Sequence, residues 1–436
     1  MKRLSVREGE PIEMDSHTTQ AIRRRLIALE SELMPRLGFV RGDNAQPVVQ
    51  NLVGSVQVSH DLVLDIEPKT EPGQDWAHAV VDLLVNEPVA FEAYTTEAEK
   101  THRNILPDAF ARLYVNQLDR ALRREGPLAV LVPEHAVRPR LAGRLDVTRW
   151  VTSSLTRPHM FPQRRTVLTV DNDYTSAMAW VCEALAVRCS DPSVGSRLRS
   201  VAARLRPGLP AHTTVDPGVA LRPIPPQWRA YEPAWLTACA VLTRISPVHR
   251  SGFLEGLGLA VEPWPLLETL LHRSLHAAAA LGIEEGLPLR AQGHSRHELL
   301  TPEPGNDDAA LRRMHRIHTR RGVEPDGSLW SDGTLLATFE AKYVVPNRKN
   351  TRQHIFQAMT TAGALDSPLV VLVYPEPSEP VVWMTHGFDG RPARLIAVGL
   401  DMFAYRRGPG DRERGRVLLK IVKEATLGAL AAAPAP

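Results

Sequence analysis

The sequence predicts an α+β protein, with an N-terminal region that mixes β-hairpins with helices and a C-terminal region that runs hairpin, helix, strand. Three observations carry this. Apolar residues alternate with polar ones at period two in 51–69 and again in 327–345. Apolar spacing is helical in 16–36, 173–205 and 265–281. Between these regions, residues 206–227 are crowded with proline, as a linker or irregular extended segment would be. The 436 residues leave room for about three domains of roughly 150 residues each. The expected division is therefore 1–205, a linker at 206–230, and 231–436.

Composition narrows the classes. Charged residues make up 23% and apolar ones 43%, a globular balance. The net charge of +3, from 52 Lys+Arg against 49 Asp+Glu, is too small to argue for nucleic acid by itself; clustering decides that question. Cys182, Cys189 and Cys239 form no CxxC pair, which argues against a disulfide framework or a zinc ribbon and suits a reducing, cytoplasmic setting. The N-terminal "MKRLSVREGEPIEMDSH" has no apolar leader region, and no stretch reaches the ~18 apolar residues of a membrane span. The absence of G-x-x-x-x-G-K-[ST] implies that the chain does not itself hydrolyse nucleotides.

Along the chain, 16–36 reads as a helix with Ser16 at its N-cap. In 51–69, Val56, Val58, Leu62, Leu64 and Ile66 alternate around Ser59-His60-Asp61 as a hairpin. Helix is expected from about Trp76 to Arg124, from Asp173 to Leu205, at Glu232–Arg244 and at Pro265–Leu281. The polar segment 286–322 reads as loop with one helix near Asp307–His318. Hairpin (327–345), helix (351–365) and strands at 369–375, 381–387 and 394–402 follow, before a last helix from about Arg412 and a frayed tail.

The stretch "VEPDGSLWSDGTLLATFEAKYVV" (323–345) places two opposite charges, Glu340 and Lys342, at the end of an apolar run. Side chains alternate between the faces of a strand. Leu336, Thr338, Glu340 and Lys342 therefore share one face, and Leu335, Ala337, Phe339 and Ala341 share an apolar one. Ser331-Asp332-Gly333 is a turn signal. A three-residue loop would pair Trp330 with Thr334 and bring Asp326 opposite Thr338, diagonal to Glu340; a two-residue loop would send Asp326 to the wrong face. Pro325 lacks a ladder donor and should mark the strand's beginning. Two carboxylates and a lysine at a sheet edge suit metal-assisted phosphodiester hydrolysis. Asp326 and Glu340 would bind a hard cation such as Mg²⁺ (with Mn²⁺ tolerated), helped by the Ala341 carbonyl. Lys342 would orient water or stabilise charge on the phosphorane. The plainer alternative is an exposed ion pair of little consequence.

The order of helix, Pro-Asp hairpin, E-A-K, helix and strand resembles the PD-(D/E)xK nuclease superfamily. "PD…FEAKY" is most similar to the McrC-type subunits of McrBC modification-dependent restriction systems. "LVGSVQVSHDLVLDIEPK" and "GRLDVTRWVTSSLTRPHMFP" resemble the upstream blocks of that family, so ordered similarity covers roughly half the chain, from about 51 to 375. The resemblance implies a C-terminal restriction-endonuclease-like α/β domain and a metal acid on the helix "WPLLETLLHRSLHAA", which is Glu268. It implies a site glutamine on "TRQHIFQAMTTAGAL", which is Gln357, although Phe356 and Thr361 stand where the family carries tyrosines. It further implies an Mg²⁺-dependent DNA endonuclease that cuts double-stranded DNA when activated by a hexameric AAA+ GTPase of McrB type. Residues 1–205 would be the ring-activating region, separable from cleavage. The competing reading is a nuclease-inactive adaptor that only activates or assembles such a ring.

Two basic stretches adjoin the site. Arg348, Lys349 and Arg352 follow Lys342 and are expected to contact DNA. "RRMHRIHTRR" (312–321) could do the same or be a solvated helix face. His315 and His318 inside it are spaced for one helix face but lack the further ligands a zinc site needs.

Overall fold

The computed structural model describes residues 2–33, 38–42, 46–59, 61–70, 76–84, 105–209, 215–244, 259–298, 322–346, 348–386 and 394–431. The expected helix at Asp307–His318, the basic run 312–321 and the pair His315 and His318 lie outside the described residues. Two compact units emerge: 1–90 together with 260–436, and 91–259. Compaction thus divides the chain at about 90 and 259, not at the 205 and 231 expected from the sequence. Among the described residues no helix is long and apolar enough to cross a membrane.

The first unit begins with strand β1 (Lys2–Arg7), helix α1 (Ser16–Leu33), the short pair β2 (Val40–Arg41) and β3 (Val48–Val49), and the hairpin β4 (Val53–Ser59) and β5 (Leu62–Glu67). The hairpin expected at 51–69 is present, antiparallel with Val56 opposite Leu64. Strand β1, too short and too charged to be legible, adds to it in parallel, with Leu4 beside Leu64 and Val6 beside Ile66. Ile22, Leu26 and Leu29 of α1 bury against Val56, Leu64 and Ile66, forming the core of this sheet. The cap of α1 is Asp15 and not Ser16: its carboxylate accepts from the Thr18 amide at 2.9 Å. Helix α2 (Trp76–Leu84) follows.

The second unit holds helix α3 (Leu106–Glu125), strands β6 (Val130–Arg138) and β7 (Arg144–Leu145), helix α4 (Val147–Ser154), strand β8 (Phe161–Thr169), and helices α5 (Asp173–Arg188), α6 (Pro192–Leu205) and α7 (Glu232–Arg244). Strands β6 and β8 pair antiparallel over their full length. Sequence periodicity missed both, because Pro133 and Pro162 interrupt them and Leu131, Val137 and Leu168 are exposed. The proline-rich stretch is not a free linker. Its 3₁₀ turns at Pro217–Leu221 and Pro226–Tyr231 pack onto α3 and its neighbours. Trp228 Nε1 donates to the Ala129 carbonyl at 2.8 Å, and the Tyr231 hydroxyl donates to the Gly126 carbonyl.

The chain re-enters the first unit at β9 (Leu259–Val261), beside β4. Helix α8 (Trp264–Glu284), β10 (Leu289–Gln292), the short β11 (His297–Glu298) and β12 (Gly322–Val323), the hairpin β13 (Gly327–Ser331) and β14 (Thr334–Ala341), helix α9 (Arg348–Ala364), strands β15 (Leu369–Tyr374), β16 (Ser378–Met384) and β17 (Arg394–Gly399), and helix α10 (Pro409–Ala431) complete it. One six-stranded sheet runs β10-β13-β14-β15-β17-β16. Parallel β14, β15 and β17 form its centre. Strand β15 is buried along its whole length, as a central parallel strand should be. Helix α8 buries Leu267, Leu270, Leu271 and Leu275 toward the sheet, and Ala358 and Ala362 of α9 bury against Val370 and Leu372. Segment 286–322, expected as loop, contributes β10, whose four residues are too few for a period to show.

Candidate active site

The site forms where β13 begins and β14 ends. The hairpin turn differs from expectation. Ser331 pairs with Thr334, so Asp332-Gly333 is a two-residue loop. Both residues have positive φ, +47° and +78°, the left-handed pair a type I′ turn requires. Such a loop alone would send Asp326 to the wrong face. A β-bulge at Leu329/Trp330 shifts the register by one residue, and Gly327 comes opposite Phe339. Asp326 sits in the bend just before β13, beside the end of β14, where its charge and that of Glu340 both face Lys342. The expected pairing of Trp330 with Thr334 and of Asp326 with Thr338 is thus corrected: Trp330 pairs with Leu335 and Ser328 with Thr338.

The two carboxylates differ in environment. Asp326 Oδ2 accepts from the Ala341 amide at 2.7 Å, which pins it across the strand ends. The Glu340 side chain is 1% exposed; its Oε2 accepts from Lys342 Nζ at 2.9 Å, and Gln357 Nε2 approaches it at 3.5 Å. Glu340 Oε1 is buried and makes no hydrogen bond. Burial raises the pKa of Asp326, against the pull of Lys342 and the Ala341 amide. Burial likewise raises that of Glu340, opposed by Lys342 and reinforced by Asp326. A buried carboxylate oxygen with no donor, next to a second carboxylate, is a site that gains from a cation.

Helix α8 brings Glu268 and His272 to this place one turn apart, on one helix face. His272 Nε2 bonds the Asp326 carbonyl at 2.6 Å, and burial lowers its pKa, so the neutral ring donates. The coil after β10 supplies His294. One donor atom each from Glu268, His294 and Asp326 lie within 4.8 Å of one another. Expected site residues Asp326, Glu340, Lys342, Glu268 and Gln357 therefore gather here. His272 and His294 were missed, since their only trace in the sequence is histidines in a helix and in a polar segment read as loop. Arg352, exposed on the first turns of α9, lies 5.4 Å from the Phe356 ring. Arg348 opens that helix and Lys349 follows; their side chains lie outside the described part of the structure.

The N-terminal sheet reaches the same strand. Lys69 Nζ donates to the Tyr343 carbonyl at 2.8 Å, one residue beyond Lys342, and sits 4.0 Å over the Tyr343 ring. The Tyr343 hydroxyl donates to Glu8 Oε2 at 2.7 Å. Glu8 Oε1 lies 3.5 Å from Lys69 Nζ. The residue following the E-A-K triplet is therefore held by the residue just after β1 and by the end of the first hairpin, one of the ties between 1–90 and 260–436.

Comparison with known proteins adds the lineage. A model of the family described as "McrBC 5-methylcytosine restriction system component" matches residues 48–375. Among solved structures, the chain is similar to one in the refined half-complex from the tetradecameric assembly of Thermococcus gammatolerans McrB AAA+ hexamers with bound McrC. Identity is 16% and the TM-score 0.62, with 96% of this chain and 100% of that chain covered. Similarity to a chain in the cryo-EM structure of the Thermococcus gammatolerans McrBC complex has 16% identity and a TM-score of 0.44, covering 63% and 88%. At this identity the first likeness is one of fold. No curated protein matches.

Proposed function

Since the chain belongs to the family of McrBC 5-methylcytosine restriction system components, we propose that it is the DNA-cleaving subunit of such a system, a metal-dependent endonuclease of the PD-(D/E)xK type. The observation that carries this is the meeting at the end of β14, where Asp326 accepts from the Ala341 amide, Lys342 is bonded to Glu340, and Glu268 lies beside Asp326. Glu268, Asp326 and Glu340 would hold the cation, Mg²⁺ or Mn²⁺, with the Ala341 carbonyl as a further oxygen at the strand's end. The donor set fits: mainly carboxylates, one of them with a buried oxygen that has no other partner. Such a cation supplies Lewis-acid stabilisation of the phosphate and lowers the pKa of a water.

The protein's own groups do the rest. Lys342, held at 2.9 Å by Glu340, is kept from wandering and can orient a water or bear on the charge that develops as the P–O bond breaks. Its backbone amide donates to the Val373 carbonyl at 2.8 Å, so its main chain is fixed to the sheet. Gln357, 3.5 Å from Glu340, would serve with the catalytic residues, and the exposed Arg352 on the same helix suits DNA contact together with Arg348 and Lys349. The partner that fits is a hexameric AAA+ GTPase of McrB type, as the similar Thermococcus gammatolerans assembly of McrB AAA+ hexamers with bound McrC supports. Residues of the first 205 would engage it.

The test is to mix the purified chain with an McrB-type ring, GTP, Mg²⁺ and methylated double-stranded DNA. Cleavage that requires the ring, and that falls by at least about 10²-fold in Asp326→Asn and Lys342→Ala, is expected. A wild-type chain that stimulates GTP hydrolysis but never cuts, with Mg²⁺ or Mn²⁺, would make it an adaptor instead.

A further inference from the structure

We propose that His294 is a direct ligand of the cation, giving the site a mixed nitrogen–oxygen donor set that prefers Mn²⁺ to Mg²⁺. The inference rests on the metal-dependent reading above and deepens it.

Register places His294. Strand β10 pairs antiparallel with β13, and the last pair is Gln292 with Ser328. Continued two residues along, the same register brings His294 opposite Asp326. Directly opposed residues of an antiparallel pair point to one face. His294, just past the end of β10, thus comes beside Asp326, just before β13, and Glu268 joins the two from α8.

The distances agree. His294 Nε2 lies 3.6 Å from Glu268 Oε2, and one donor atom each from Glu268, His294 and Asp326 lie within 4.8 Å of one another. Atoms bound to one ion through bonds of about 2.0–2.6 Å are separated by at most about twice that length. The three are already near that spacing. Glu340, whose buried Oε1 makes no hydrogen bond, faces the Asp326 charge and adds negative charge beside the three. His294 Nδ1 is 4.0 Å from Glu324 Oε1, a carboxylate suited to orient the ring through its other nitrogen. The His272 ring meets the His294 ring edge to face, with centroids 5.0 Å apart, which further limits its rotation.

Donor chemistry then sets the preference. Mg²⁺ demands oxygen ligands and keeps its waters, whereas imidazole suits first-row transition ions. An all-carboxylate site would discriminate little in favour of Mn²⁺. One nitrogen changes that.

The experiment is Mn²⁺ binding by the full chain, followed by calorimetry and by the electron-spin-echo signature of nitrogen bound to Mn²⁺. No DNA or partner is needed. Wild type should show nitrogen coupling and bind Mn²⁺ more tightly than Mg²⁺. His294→Ala should lose the coupling and weaken Mn²⁺ binding by about 10- to 100-fold, while Mg²⁺ binding changes by less than about threefold. His294→Asp should retain cation binding, lose the coupling and move the preference toward Mg²⁺. Because His294 is partly exposed, both variants should fold. Nitrogen coupling absent from the wild type, or surviving in His294→Ala, overturns the assignment. So does the absence of Mn²⁺ binding by the wild type. Mn²⁺ bound with nitrogen coupling, in a protein that never cuts DNA, would support the ligand while refuting the nuclease.

Discussion

Replacing Glu8 with alanine should loosen the strand that carries Glu340 and Lys342, although Glu8 lies in the first β-strand's turn and far away in sequence. The Glu8 side chain is 1% exposed and serves three donors: the Tyr343 hydroxyl at 2.7 Å, the Asn51 amide at 2.7 Å and Lys69 Nζ at 3.5 Å. Burial already depresses the Lys69 pKa, against the attraction of Glu8. Alanine leaves a hydroxyl and an amide unsatisfied, at about 1–3 kcal/mol each. It also strips a mostly buried ammonium of its counter-ion, a change that costs about 3–5 kcal/mol in fully buried pairs. These terms overlap, and Lys69, with 19% of its side chain exposed, can partly re-solvate. The net cost should be about 3–5 kcal/mol. Hydrogen exchange followed by mass spectrometry reads it locally: amides of 334–346 should lose roughly two to three and a half orders of magnitude of protection. Those of α3 in the second unit should be unchanged. If 334–346 keeps its protection within about threefold in a folded variant, the N-terminal sheet does not support the strand that carries Glu340 and the coupling argued from Lys69 and Tyr343 is wrong. If protection falls as calculated, cleavage should fall with it, and ring activation and cleavage will be less separable than their distance along the chain implies.

Lys342→Ala should lower the cleavage rate by about 10²- to 10³-fold, the loss typical of one transition-state donor, with stimulation of the partner's GTP hydrolysis retained; parallel assays of the two activities check it. Gly327→Ala should destabilise by about 1–3 kcal/mol, measured by denaturant titration, because its Cβ would meet Leu275 Cδ1 at 2.4 Å and wedge β13 from α8 beside Asp326. Asp326 and Glu340 both have raised pKa values, so the cation-free fold favours their protonated forms. Their contribution to stability is then full below about pH 4 and is lost as pH climbs through the raised values. Thermal unfolding of EDTA-treated protein should show this loss between acid and neutral pH relative to an Asp326→Asn, Glu340→Gln variant, and Mn²⁺ at neutral pH should restore the wild type.

What the sequence determined by itself is local. Alternation in 51–69 and 327–345 fixed two hairpins, because a strand's period of two needs only a few residues to declare itself. The same period put Thr338, Glu340 and Lys342 on one face and Phe339 on the core side, where it is fully buried. Helical spacing found α1, α8 and the helical stretch that the structure breaks into α5 and α6, and the described part of the proline-rich 206–227 holds 3₁₀ turns that pack and are not free. Tertiary structure decided whatever depends on which segments meet. The type I′ turn and the bulge at Leu329/Trp330 together set the register of the hairpin, and turn residues alone cannot announce a bulge. Strand β10 has too few residues to show a period, so His294 became visible only when pairing with β13 carried it beside Asp326. Burial of Glu340, and hence its raised pKa, arises from the sheet and helices around it and not from its neighbours in the chain. Among the contacts that join 1–90 to 260–436 are those of Glu8, Lys69 and Tyr343, three residues whose meeting no local pattern encodes, because a buried ion pair is specified by the packing that excludes water from it.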